Sequence, residues 1–171
     1  MLRYLILKKL DSVERRLGQP VDYLRHIVRT SLRSFFKFLK IMPISEYRRA
    51  LPPDAWHVAR IVATRDADCG TCVQIELNLA KEDRISPEIL RAVIDGKPEQ
   101  LSTELADVYR FTVAIVRASD DADGLRERVR KSYGEAGLIE LALAIGSSRF
   151  FPIVKRTLGF ATACSRVKLS L

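Results

Sequence analysis

The stretch Asp68-Cys69-Gly70-Thr71-Cys72-Val73-Gln74-Ile75-Glu76-Leu77-Asn78-Leu79-Ala80 decides how the rest of the chain is read. It sets two of the three cysteines one helical turn apart, at the head of an apolar-periodic run. Cys72, Glu76 and Ala80 recur at every fourth position, and Val73, Leu77 and Leu79 fall on or near the apolar side, so the run predicts a helix. Asp66 or Asp68 is expected to cap it, leaving Cys69 in the first turn, where unpaired backbone N–H groups and the helix dipole favour a thiolate. Cys72 lies one turn on, within disulfide range. The stretch therefore predicts a dithiol/disulfide site at a helix N-terminus.

Upstream, Asp54 is expected to cap a helix running to about Thr64, with Trp56, Val58, Ile61 and Val62 apolar and His57 and Arg60 polar. Downstream, Ser86 with Pro87 reads as a helix start, Gly96 closes that unit, and Ser102 opens a helix to about Ser119 with a core stripe of Leu105, Val108, Phe111, Thr112 and Ile115. A polar turn over 120–124 leads to a short helix to Tyr133, then one over 138–145; Gly146-Ser147-Ser148 and Pro152 interrupt the last helical stretch, from Val154 to about Val167. No hairpin, no useful strand alternation and no Gly-x-Gly-x-x-Gly loop is visible, so the chain reads all-α and no cofactor is expected.

The N-terminal part has its own character. Residues 2–17 predict an amphipathic helix, ended by Gly18 and Pro20. Residues 20–41 predict another, with Arg25, Arg29, Arg33 and Lys37 at successive i+4 positions opposite Val21, Leu24, Val28, Phe35, Leu39 and Met42. The formal charge of +8 belongs here: residues 1–50 hold 12 Lys/Arg against 4 Asp/Glu, while the remainder holds 17 against 17. A solvated basic face over a buried apolar one explains the pattern; weak contact with an anionic membrane surface or an acidic partner through 20–41 also suits it. Nucleic acid is not expected, because no recognition motif interleaves the charges. The chain divides into a basic amphipathic extension, 1–44, and a body, 45–171. The first ten residues do not make a signal peptide, no run approaches the length of a membrane span, and three cysteines do not make a disulfide framework, so the expectation is a cytoplasmic protein.

A thioredoxin-like domain would place the cysteine pair between a strand and a helix, and here a helix precedes it. Zinc would need four ligands, with Cys164, His26 and His57 the only customary partners left and no second close pair, so no metal is expected. Cys164 alone reads as a small buried hydrophobe. A redox dithiol is favoured, and it needs a proton acceptor. Glu76, four residues past Cys72, and His57, 12 before Cys69, are the candidates, as a His57–Glu76 relay.

The sequence resembles the AhpD-like alkylhydroperoxidase / carboxymuconolactone decarboxylase superfamily. The resemblance is carried by 51–60 (Leu-Pro-Pro-Asp-Ala-Trp-His-Val-Ala-Arg), by 68–80, by 85–93 and by 133–146, and it covers roughly 45–160. It implies an all-α AhpD-like domain in a homo-oligomer (dimer, trimer or hexamer). It further implies a thiol–disulfide oxidoreductase in which Cys72 attacks a small-molecule hydroperoxide, Cys69 resolves the sulfenic acid, and a thiol or protein donor returns electrons. In the family pattern a glutamate stands 12 residues before the first cysteine and a histidine four after the second; here His57 and Glu76 hold those places exchanged. A carboxylate beside Cys72 would raise its pKa, where an imidazolium would lower it. Two alternatives stay open: a non-redox, decarboxylase-like enzyme of the same superfamily, and a non-catalytic interaction protein using the basic helices. Trp56, Phe111, Phe150 and Phe151 are candidate pocket walls.

Overall fold

The computed structural model describes residues 1–163 and residue 170, and those residues are helical and connecting segments with no strand. In chain order the helices are α1 (Leu2–Leu17), α2 (Asp22–Thr30), α3 (Leu32–Phe38), α4 (Met42–Ser45), α5 (Pro53–Asp66), α6 (Gly70–Glu82), α7 (Pro87–Asp95), α8 (Thr103–Val116) and α9 (Ala122–Thr157). Cys164 and the end of the expected last helix lie outside the described residues.

Helix α5 is the axis of the body. Every residue from Ala55 to Thr64 is buried, which is what a helix surrounded on all sides by other helices requires. Pro53 occupies its first turn, where a missing N–H costs nothing. Around it, Val73 and Leu77 of α6, Leu90 and Val93 of α7, Val108 and Phe111 of α8 and Leu141 and Ile145 of α9 form one apolar cluster. A second cluster, built from Leu10, Val21, Tyr23, Leu24, Val28 and Phe35, holds α1–α3 together, and Val154 and Phe160 from the C-terminal part pack on it. Gly18 ends α1 at φ 64°; a Cβ there would stand 2.8 Å from Asn78 Nδ2, which itself donates to Leu17 O at 2.8 Å. The close approach of α1 to α6 thus depends on that glycine.

Several expectations need correction. The helix expected over 20–41 is broken at Ser31, whose extended backbone and hydroxyl, accepting from Ser34 N at 3.1 Å, cap α3 instead of continuing α2. The i+4 basic stripe is divided accordingly, and Arg25 is taken up by Asp11 at 2.8 Å and Glu14 at 2.5 Å. Neither Gly146-Ser147-Ser148 nor Pro152 interrupts α9: Ser147, Ser148 and Pro152 are buried, and burial of this face overrides local propensity. The break falls at Gly134 (φ 70°, ψ 178°), a conformation open in practice only to glycine, so α9 consists of segments 122–133 and 135–157. An 18-residue window of α9 has mean hydropathy 1.5, long and apolar enough to cross a membrane by length and composition, contrary to the expectation that no run would be. It is 44% buried against the rest of the protein, and core helices meet the same criterion. Ile115, expected in the core stripe of α8, is exposed.

Other starts and stops follow the sequence. Ser86 and Ser102 accept from the backbone N–H three residues on, at 3.4 Å each, and Gly96 closes α7 in the left-handed region. Glu140, fully enclosed in α9, accepts from the N–H groups of Arg49, Ala50 and Leu51 at 2.8–2.9 Å and so fixes the entry to α5.

Candidate functional site

Helix α6 begins differently from the sequence-based expectation. Its N-cap is Cys69 itself, and neither Asp66 nor Asp68 caps it. Asp66 is engaged by Arg117 at 3.0 Å and Arg149 at 2.8 Å, while Asp68 turns the chain at φ 49°. Gly70 N donates to Thr162 O at 2.8 Å, so the chain after α9 crosses the start of α6 and takes up one of its first N–H groups.

The two sulfurs are disulfide-bonded, with Cα atoms 5.3 Å apart. They differ in surroundings. Cys69 is 0% exposed, and its Sγ lies 3.6 Å from Thr71 Oγ1. Cys72 is 5% exposed and lines a partly open cavity of about 700 Å³ bordered by α1–α6 and α9. The structure therefore places a closely spaced cysteine pair in an all-helical fold, with one sulfur toward a cavity and the other behind it. This arrangement is that of a potential thiol-based redox site.

His57 and Glu76 line the same cavity, but each is engaged elsewhere. Glu76 receives a fork from Arg60, Nε to Oε2 and Nη2 to Oε1, both at 2.8 Å, with Arg60 3% and Glu76 5% exposed. Arg60 also donates from Nη1 to Ser45 O at 2.6 Å and lies 4.2 Å from the Trp56 ring centre. The direct His57–Glu76 pair expected from the sequence is thus replaced by Glu76–Arg60. The like-charge effect expected from Glu76 on Cys72 is offset by the guanidinium that holds it.

His57 Nε2 stands 3.1 Å from Asp83 Oδ2. A carboxylate only accepts, so Nε2 carries the proton and Nδ1 keeps a lone pair without a partner among the described residues. Burial is the dominant influence and holds the imidazole below its ordinary pKa, with the Asp83 bond opposing it in part. His57 is therefore a neutral acceptor near neutral pH.

Arg60, Thr64, Asp83, Ser148 and Lys155 escaped the sequence reading as cavity residues. Arg60 sat in an apolar run, Val58-Ala59-Arg60-Ile61-Val62, and a charge there is a signal of a buried ion pair. Lys155 gave no comparable signal, because Lys155-Arg156 reads as an ordinary basic helix end. Of the proposed pocket walls, Trp56 and Phe151 line the cavity, whereas Phe111 belongs to the main core. Among the described residues no group of His, Cys, Asp and Glu is clustered to hold a metal. No protein-family model matches this sequence, and no curated protein matches it significantly.

Proposed function

We propose that the protein is a thiol–disulfide oxidoreductase of the AhpD-like kind that reduces hydroperoxides through Cys72 and Cys69. The observation that carries this reading is the asymmetry of the pair: Cys72 borders the cavity while Cys69 is enclosed at bonding distance behind it. The cavity-side thiol is the one a small substrate reaches, and the enclosed thiol is the one that resolves it.

His57 Nδ1 accepts the Cys72 proton, directly or through one water, with Asp83 holding the imidazole in the required tautomer. The thiolate attacks the terminal peroxide oxygen, the O–O bond breaks, Cys72 becomes a sulfenic acid, and the alkoxide takes a proton to leave as the alcohol. The Cys69 thiol then displaces hydroxide from the Cys72 sulfur, releasing water and forming the disulfide. Two electrons and two protons from a dithiol or two thiol donors restore the reduced pair. Arg60 keeps Glu76 neutralised beside this chemistry, so the Cys72 thiolate forms without a free carboxylate close by.

Stopped-flow oxidation of the reduced protein by cumene hydroperoxide tests the reading. Wild type is expected to consume one equivalent, and Cys72→Ser none. Turnover retained by a variant with both cysteines replaced by serine would point instead to non-redox acid–base chemistry in the same cavity.

A further inference from the structure

The cavity beside Cys72 holds groups that the thiol chemistry does not use. Lys155 on α9 is 2% exposed, and among the described residues its Nζ has one hydrogen-bond partner, Thr71 Oγ1 at 3.1 Å, with the Tyr23 ring centre 5.1 Å away. No carboxylate pairs with it among the described residues. Two hydroxyls lining the same cavity, Thr64 Oγ1 on α5 and Ser148 Oγ on α9, are buried without a hydrogen-bond partner among the described residues. Ser148 and Lys155 are seven residues apart on α9 and so share one face two turns apart. A buried ammonium with spare donors and two buried hydroxyls each gain from a polar partner, because burial removes them from bulk water.

The remaining wall is of opposite character. Leu10, Val13, Leu24, Phe35, Phe38 and Phe151 supply apolar surface to it, with the charged groups of Lys9, Arg16, Arg48 and Glu82 also on the lining. Cys72 and Glu82 both border the cavity, so it follows α6 for about 15 Å at the helical rise per residue. An extended carbon chain advances about 1.2 Å per bond, so roughly twelve carbons span that length.

We propose that this cavity binds an amphipathic monocarboxylate, with the carboxylate on Lys155 and the hydroxyls of Thr64 and Ser148, and the hydrocarbon chain along the wall supplied by α1–α3. The ligand supplies the counter-charge that Lys155 lacks and the acceptors that both hydroxyls lack, while its chain displaces water from an apolar surface. Burial holds the Lys155 ammonium down at about 8, the condition of a cation awaiting an anion. The proposal also gives the N-terminal helices a role, since they form the chain-binding wall. It goes beyond the thiol reading and does not depend on it.

Calorimetric titration of the full-length protein with dodecanoate and, separately, with dodecanol tests it, in wild type and in Cys72→Ser. Dodecanoate is expected to bind one to one in both proteins, at least tenfold tighter than the alcohol. Lys155→Met is expected to abolish that preference, and Lys155→Arg to restore part of it. Ser148→Ala, a mild change in a helix, is expected to weaken dodecanoate several-fold and leave dodecanol unchanged, which keeps a test available should the lysine variant not fold. Equal affinity for acid and alcohol, no binding of either, or indifference to both substitutions overturns the proposal. Dodecanoate binding without peroxide consumption would remove the thiol reading alone; peroxide consumption without dodecanoate binding would remove this one alone.

Discussion

Replacing Arg60 by methionine isolates the most heavily invested contact in the cavity wall. Methionine keeps much of the aliphatic length packed on Trp56 and deletes the charge. Glu76 then loses both hydrogen bonds of the 2.8 Å fork, and Ser45 O loses its 2.6 Å donor. Both members of the pair are nearly inaccessible to water, so Glu76 is left as a buried carboxylate with no counter-ion. Removing one partner of a buried pair costs about 3–5 kcal/mol. Against a total stability on the order of 5–15 kcal/mol, that is a large share. With a urea m-value of about 2 kcal/mol/M, the midpoint should fall by roughly 2 M. Urea unfolding followed by circular dichroism reads this directly. Arg60→Met with Glu76→Leu removes both charges and should recover most of that loss, because the pair as a whole contributes little net stability, remaining short of wild type by the roughly 1–3 kcal/mol that the undonated Ser45 O costs. If Arg60→Met alone stays within about 1 kcal/mol of wild type, or the double variant is worse than the single one, the description of this pair as buried and mutually dependent is wrong.

Three further outcomes follow from neighbouring groups. Burial pushes Glu140 up, but the N–H groups of Leu51, Ala50 and Arg49 outweigh it and hold the carboxylate below its ordinary range, so the stability it supplies is present above about pH 4.3 and lost as pH falls through its folded value. Glu140→Ala should cost about 2–4 kcal/mol at pH 7 by stranding those donors, a cost that shrinks in acid; a pH-independent difference would refute the bonding. His57, held below its ordinary pKa by burial despite Asp83, contributes stability that is complete above about pH 6.5 and declines as pH falls from there. His57→Gln should flatten that decline between pH 7 and 5, and parallel curves for the two proteins would contradict it. Lys155 sits at about 8, so its stabilising contribution is complete only above about pH 10.4 and has been lost by about pH 8. Lys155→Met should therefore raise stability at pH 7 by about 1–2 kcal/mol, the burial penalty less the contact with Tyr23, and a destabilised variant would mean the ammonium is satisfied.

The legible parts of this chain were those written locally. The Ser86, Ser102 and Gly96 boundaries follow from side chains that bond or release their own backbone, and they appear where the sequence puts them. The cysteine spacing likewise needs only one helical turn to become a disulfide. What escaped depends on residues far apart. Thr162 takes the N–H of Gly70, 92 positions away, and so leaves Cys69 as the cap. The Arg60–Glu76 fork spans two helices, and its guanidinium competes successfully with His57 for the carboxylate. Pro152 is carried inside α9 because the face around it is buried, a gain that no local propensity reveals. Lys155 is the clearest case: its charge reads as a solvated helix end until the second apolar cluster closes over it.

In the proposed chemistry Cys72 reacts at the cavity and Cys69 resolves it. Mass spectrometry of the fully reduced protein, treated with one equivalent of cumene hydroperoxide and digested without reduction, tests it most directly. Wild type should yield a Cys69–Cys72 disulfide and Cys69→Ser a sulfenic acid on Cys72 that dimedone captures. Free thiols at both positions after treatment, or a dimedone adduct confined to Cys69, would contradict it.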